Sequence, residues 1–158
     1  MTDTLRTRAT VTPEIVEHPK RTAAVVRVEG RLDELPKLMG EAFHLTEQAI
    51  GESGAVVAGP PFARYLEFGE RVIAEVGFPF EGTLVRTDRV REVMLPSGPL
   101  VTTTHVGPYD RLGETWERTT AWMGEHELVT AGPGWECYLT GPDESGPPVT
   151  EIFWPIRS

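Results

Sequence analysis

Residues 58–66 and 131–139 are two versions of one sequence. Ala58-Gly59-Pro60-Pro61-Phe62-Ala63-Arg64-Tyr65-Leu66 aligns with Ala131-Gly132-Pro133-Gly134-Trp135-Glu136-Cys137-Tyr138-Leu139 at a constant offset of 73 positions (58 to 131). Downstream, Ala74-Glu75-Val76-Gly77-Phe78-Pro79-Phe80 answers Thr150-Glu151-Ile152-Phe153-Trp154-Pro155-Ile156 at an offset of 76 (75 to 151). The three extra residues fall in the Gly- and Pro-rich stretch 141–148, where an insertion is cheap. A repeat on this scale makes each half one supersecondary unit that buries a face only with help from the other.

Each half reads as strand, helix, strand, strand. Ala23–Val28 and Val101–Val106 are rich in Val and Thr, as strands prefer. Leu35, Leu38, Met39, Ala42, Phe43, Ala49 and Ile50 recur at helical spacing in the first half, and Leu112, Trp116, Thr119 and Met123 in the second. Asp33 and Asp110 stand where N-caps belong. The resulting expectation is an α+β fold: a duplicated strand-helix-strand-strand module of the SHS2 type, two copies in pseudo-twofold arrangement, antiparallel sheet, and a ligand groove between them. The boundaries are a flexible leader over 1–12, a first module over 13–80, a linker over 81–91 and a second module over 92–158.

Strand alternation then sorts side chains by face. Ala74, Val76 and Phe78, and likewise Thr150, Ile152 and Trp154, are expected toward the helices, which leaves Glu75, Glu151 and Phe153 on the other face. If the set Phe62, Arg64, Leu66 and its counterpart Trp135, Cys137, Leu139 covers the helices, Tyr65 and Tyr138 join the glutamates. Trp116, Trp135 and Trp154 are then core, Trp122 is exposed, and Cys137 is a small buried residue turned away from the pocket.

Composition narrows the function. Twenty-four acids against fifteen bases give a net charge of −9 with no basic stripe, which disfavours direct binding of nucleic acid. No apolar run is long enough for a membrane helix. The polar start lacks a signal-peptide core, and Cys137 is the single cysteine, so neither an intrachain disulfide nor a multi-cysteine zinc cage is available. A cytoplasmic location fits. His18, His44 and His126 are too scattered to suggest a metal site, and the Gly-rich turns lack a phosphate-loop pattern; no metal or cofactor is expected.

Three stretches carry a family resemblance: His105-Val106-Gly107-Pro108-Tyr109, the turn Ala131-Gly132-Pro133 leading to Tyr138-Leu139, and Glu151-Ile152-Phe153-Trp154-Pro155-Ile156. In this order they resemble the GyrI-like family, the effector-binding module of AraC-type and MerR-type bacterial transcription activators, over Pro13 to Ile156. The resemblance implies two strand-helix-strand-strand modules and a pocket for amphipathic, often cationic, compounds. It also implies a ligand-contacting carboxylate at Glu151. Stand-alone members include gyrase modulators, proteins that sequester toxic compounds, and hydrolases of cyclopropane-containing alkylators.

The candidate ligand-binding residues are Glu151, Glu75, Tyr65, Tyr138, Tyr109, Phe153 and His105. A carboxylate among aromatic rings holds a cation by charge while the rings pack its apolar body. Tyr65 and Tyr138 offer flat faces and hydroxyls. Tyr109 follows Gly107-Pro108 at the mouth of the second helix, and Phe153 shares the face of Glu151. For catalysis the candidates are Glu151, as a base toward water, and Tyr138, as a donor to a developing oxyanion. Three readings follow: a binding protein for amphipathic, cationic or aromatic compounds that sequesters or senses drugs or toxins, a cofactor-independent hydrolase of cyclopropane-type electrophiles, and a module that contacts a protein such as gyrase. The sequence leaves open whether the ligand is turned over.

Overall fold

A computed structural model describes residues 12–140 and 146–157. The leader, apart from Thr12, and most of the inserted loop lie outside the described residues. The elements are β1 (Glu14–His18), β2 (Arg21–Arg31), α1 (Leu35–Glu52), β3 (Val56–Val57), β4 (Phe62–Phe68), β5 (Arg71–Glu81), β6 (Val90–Leu95), β7 (Gly98–Val106), α2 (Leu112–Glu125), β8 (Trp135–Tyr138) and β9 (Val149–Pro155). The fold is α+β, and every strand pair within the units is antiparallel. One compact unit spans Pro19–Ser97; the other combines the described residues up to His18 with those from Gly98 onward.

Within Pro19–Ser97 the strands run β4-β5-β2-β6, with β3 on the end of β5. α1 buries Leu35, Ala42, Thr46, Ala49 and Ile50, a stripe at helical spacing. Thr46 is tolerated inside because its hydroxyl donates to the Ala42 carbonyl at 2.8 Å. The helix stops at Gly54, whose φ of +74° is the left-handed conformation that closes helix C-termini. Phe43 meets Phe78 edge-on at 5.8 Å, which identifies the helix-bearing face of the sheet: Phe78, Val76 and Ala74, with their cross-strand neighbours Ala24, Val26, Val28, Ala63 and Tyr65.

In the other unit the strands run β8-β9-β7-β1. α2 buries Leu112, Thr115, Thr119 and Met123, and Met123 joins Val101 and Ile156 in a core flanked by Trp122, Leu128 and Trp154. Trp122 is thus half-buried rather than exposed, stacked on His126 at 4.0 Å.

Three expectations need correction. Asp33 and Asp110 are not N-caps. They sit inside the short 3-10 turns Leu32–Glu34 and Tyr109–Arg111, whose i→i+3 backbone bonds take over the capping, while Glu34 and Arg111 precede the α-helices without a side-chain cap. The module boundaries also differ from the sequence reading. β6, expected to lead into the second module, pairs with β2, and β1, expected in the first module, pairs with β7. Each unit therefore takes its edge strand from the segment that precedes the other module in the chain.

The third correction concerns faces. Phe62 pairs with Gly77 and Trp135 with Phe153, so both aromatics lie on the face away from the helix. They are nevertheless 0% and 1% exposed. Where apolar side chains are buried on both faces of a sheet, burial no longer tells which face carries the helix. Tyr65 and Tyr138 consequently stand on the helix-bearing faces, and Cys137 stands cross-strand from Glu151 and half-buried.

Candidate functional site

On the face of β8-β9-β7-β1 away from α2, Glu151 is half-buried between Cys137 on β8 and Thr104 on β7. Neither cross-strand neighbour carries a charge. Two residues along the strand, Phe153 stacks on Trp135 with ring centroids 5.3 Å apart, and His18 meets both rings edge-on at 5.6 and 5.9 Å. The strand alternation of β9 thereby sets a carboxylate beside a slab of three rings on one surface. Trp135 and Phe153 are packed, 1% and 8% exposed, so the half-buried Glu151 and His18 are the accessible members of the group.

The helix-bearing face of the same unit holds a different constellation. Glu136 is 4% exposed, and its two oxygens accept from the Trp116 indole at 2.6 Å and the Tyr138 hydroxyl at 2.7 Å. Tyr109, half exposed, lies edge-on to Tyr138 at 6.0 Å. Gly134 is what admits Trp116 here, since a Cβ at that position would sit 2.9 Å from the indole ring. His105 is buried beneath the start of α2. Its Nε2 lies 2.9 Å from the Pro108 carbonyl, which can only accept, so Nε2 carries the proton and Nδ1, 2.7 Å from the Thr115 hydroxyl, accepts in the neutral ring. Both nitrogens are used in fixing the Gly107-Pro108 turn to the helix.

In the other unit Glu75 is 6% exposed and engaged by two arginines: Arg64 Nη1 at 3.1 Å and Arg91 Nη2 at 3.6 Å. Tyr65 is on the opposite face, edge-on to Phe68 at 5.3 Å, beside a bulge between Tyr65 and Glu67. The candidates therefore separate. Glu151 and Phe153 share a face in one unit, Tyr109, Tyr138 and His105 share the other face of that unit, and Glu75 and Tyr65 lie on opposite faces of a second sheet.

Sequence reasoning did not single out Glu136, Trp135, His18 or the arginines around Glu75. For Glu136 and Arg64 a signal exists, because each is a charged residue inside an otherwise apolar repeat. Among the described residues no group of three or more His, Cys, Asp or Glu is placed to hold a metal ion, and no helix is long and apolar enough to cross a membrane.

Residues 11–157 match the sequence profile of the GyrI-like small molecule binding domain; the chain belongs to that family and is a small-molecule-binding domain. Solved structures share the fold. The C-terminal domain of EcmrR superposes with a TM-score of 0.81 at 19% identity, covering 94% of this chain and 98% of that one. SAV2435 bound to tetraphenylphosphonium gives 0.66 at 11% identity over 93% and 94%. A hydrolase encoded by lin2189 from Listeria innocua gives 0.66 at 16% identity over 92% of each chain. A search of curated proteins by sequence gives no match.

Proposed function

We propose that the protein binds amphipathic organic cations at Glu151, beside the packed Trp135–Phe153 pair, and sequesters or senses drug-like or toxic compounds in the cytoplasm. One observation carries this reading: a half-buried carboxylate stands on the same strand face as a stacked aromatic pair. Excluding water around the ligand's apolar body strengthens the charge interaction with a half-buried carboxylate. The SAV2435 structure, which holds tetraphenylphosphonium in the same fold, supports the ligand class. Glu75 has no part in this reading, because two arginines already match its charge.

Calorimetric titration with tetraphenylphosphonium tests it. Binding should weaken by about tenfold or more in Glu151→Gln, the loss of a charge-assisted contact. Unchanged affinity in that variant rejects the reading. Incubation with a cyclopropane-bearing alkylator, followed by mass spectrometry, tests turnover in the same preparation. Hydrolysis abolished by Glu151→Gln would make that carboxylate the base toward water. Tyr138 is a poor partner for it, being on the other face of the sheet.

A further inference from the structure

In a chain of net charge −9, the β4-β5-β2-β6 sheet gathers three arginines around one acid on its face away from α1. Arg64 and Arg27 are the direct cross-strand neighbours of Glu75, on β4 and β2. Arg91 reaches the same carboxylate from β6 across Val25. Each oxygen of Glu75 already faces a guanidinium, Oε1 that of Arg64 at 3.1 Å and Oε2 that of Arg91 at 3.6 Å. That leaves an excess of positive charge and of donors.

Two details show the excess. Arg64 Nε is buried and has no hydrogen-bond partner among the described residues, although its side chain is only 20% exposed. Arg27 makes no ion pair among them either, whereas Arg71, farther along the same face, is matched by Glu29 at 3.1 Å. A buried guanidinium N–H without an acceptor is costly, and three arginines over one carboxylate repel one another unless another anion joins them. Guanidinium forks suit planar or tetrahedral oxyanions.

We infer that Arg27, Arg64 and Arg91, organised by Glu75, form a site for the oxyanion of a small organic acid, a carboxylate or phosphate monoester. Its residues all belong to the Pro19–Ser97 unit, and none is shared with the Glu151 group. Glu75 is a positioning residue here: it holds two of the arginines in place and does not itself receive the ligand.

Calorimetric titration of the full chain with phenyl phosphate and with inorganic phosphate tests the site. Phenyl phosphate should bind, with affinity reduced about tenfold in Arg64→Gln and several-fold in Arg27→Gln. Arg71→Gln, which removes an arginine already matched by Glu29, should leave it unchanged. Tighter binding of phenyl phosphate than of inorganic phosphate assigns the site to an organic oxyanion; equal binding assigns it to the free anion. Arg27 is exposed, so its variant carries the test if Arg64→Gln fails to fold. Absence of phenyl phosphate binding at millimolar concentration overturns the inference, as does binding that both arginine variants leave intact.

Discussion

Glu136 shows how much one buried side chain can organise. Its carboxylate lies in β8, yet its partners come from α2 and from two residues along its own strand, so it ties the helix to the sheet and fixes the Tyr138 ring against Tyr109. Hydrogen bonds to a charged, buried acceptor are worth more than neutral ones. Trp116→Phe, which keeps an aromatic ring edge-on to Trp154 but removes the N–H, should destabilise the protein by about 1.5–3 kcal/mol. Tyr138→Phe should cost less, on the order of 1 kcal/mol, because its ring is only partly buried. Urea unfolding of the two variants and of their combination checks this, and a combined loss equal to the sum would mean that Glu136 does not couple the two donors. None of this was legible in the sequence. A glutamate in a strand reads as solvent-facing, and its indole partner lies 20 positions upstream in another element. The face on which Glu151 stands was legible because its strand alternates cleanly.

At the level of elements, the order strand, helix, strand, strand could be read in both halves because it rests on local signals: helical spacing, Ala-Gly-Pro turns and β-branched runs. Pairing of the edge strands could not, since β1 and β6 lie beside strands distant or non-adjacent in the chain and no local pattern records the choice. The tyrosine faces were misread for a different reason: hydrophobicity locates a helix only when one sheet face is wet, and Phe62 and Trp135 are buried on the far face. The central strands make a sharper prediction. A Cβ at Gly77 in β5 would lie 1.8 Å from the Ala24 carbonyl oxygen of β2. Gly77→Ala must therefore push two paired strands apart, and it should cost more than about 3 kcal/mol or prevent folding. Gly40, exposed on α1 with nothing within 4 Å of a built Cβ, gives the opposite sign. Gly40→Ala should stabilise by about 0.5–1 kcal/mol, through helix propensity and a less flexible unfolded chain, raising Tm by a few degrees. Thermal melts of the two variants decide both, and a lower Tm for Gly40→Ala would contradict the assigned helix geometry.

For the whole molecule, the charge of −9 acts on any ligand before contact. In the proposed reading a cation is drawn toward the protein by that field and then held by Glu151, two contributions that respond differently to salt. The Debye length is about 30 Å at 0.01 M and about 8 Å at 0.15 M, so raising ionic strength over this range removes most of the long-range attraction while leaving a half-buried contact largely intact. Tetraphenylphosphonium affinity should therefore fall several-fold across that range and then level off. In Glu151→Gln the same decline should appear from a weaker starting value, because the remaining acids still supply the field. The two sources of attraction can thus be separated by titrating both proteins at a series of salt concentrations. Affinity independent of salt in the parent protein would mean that ring contacts alone hold the cation, and Glu151 would then be a surface acid rather than a counter-charge.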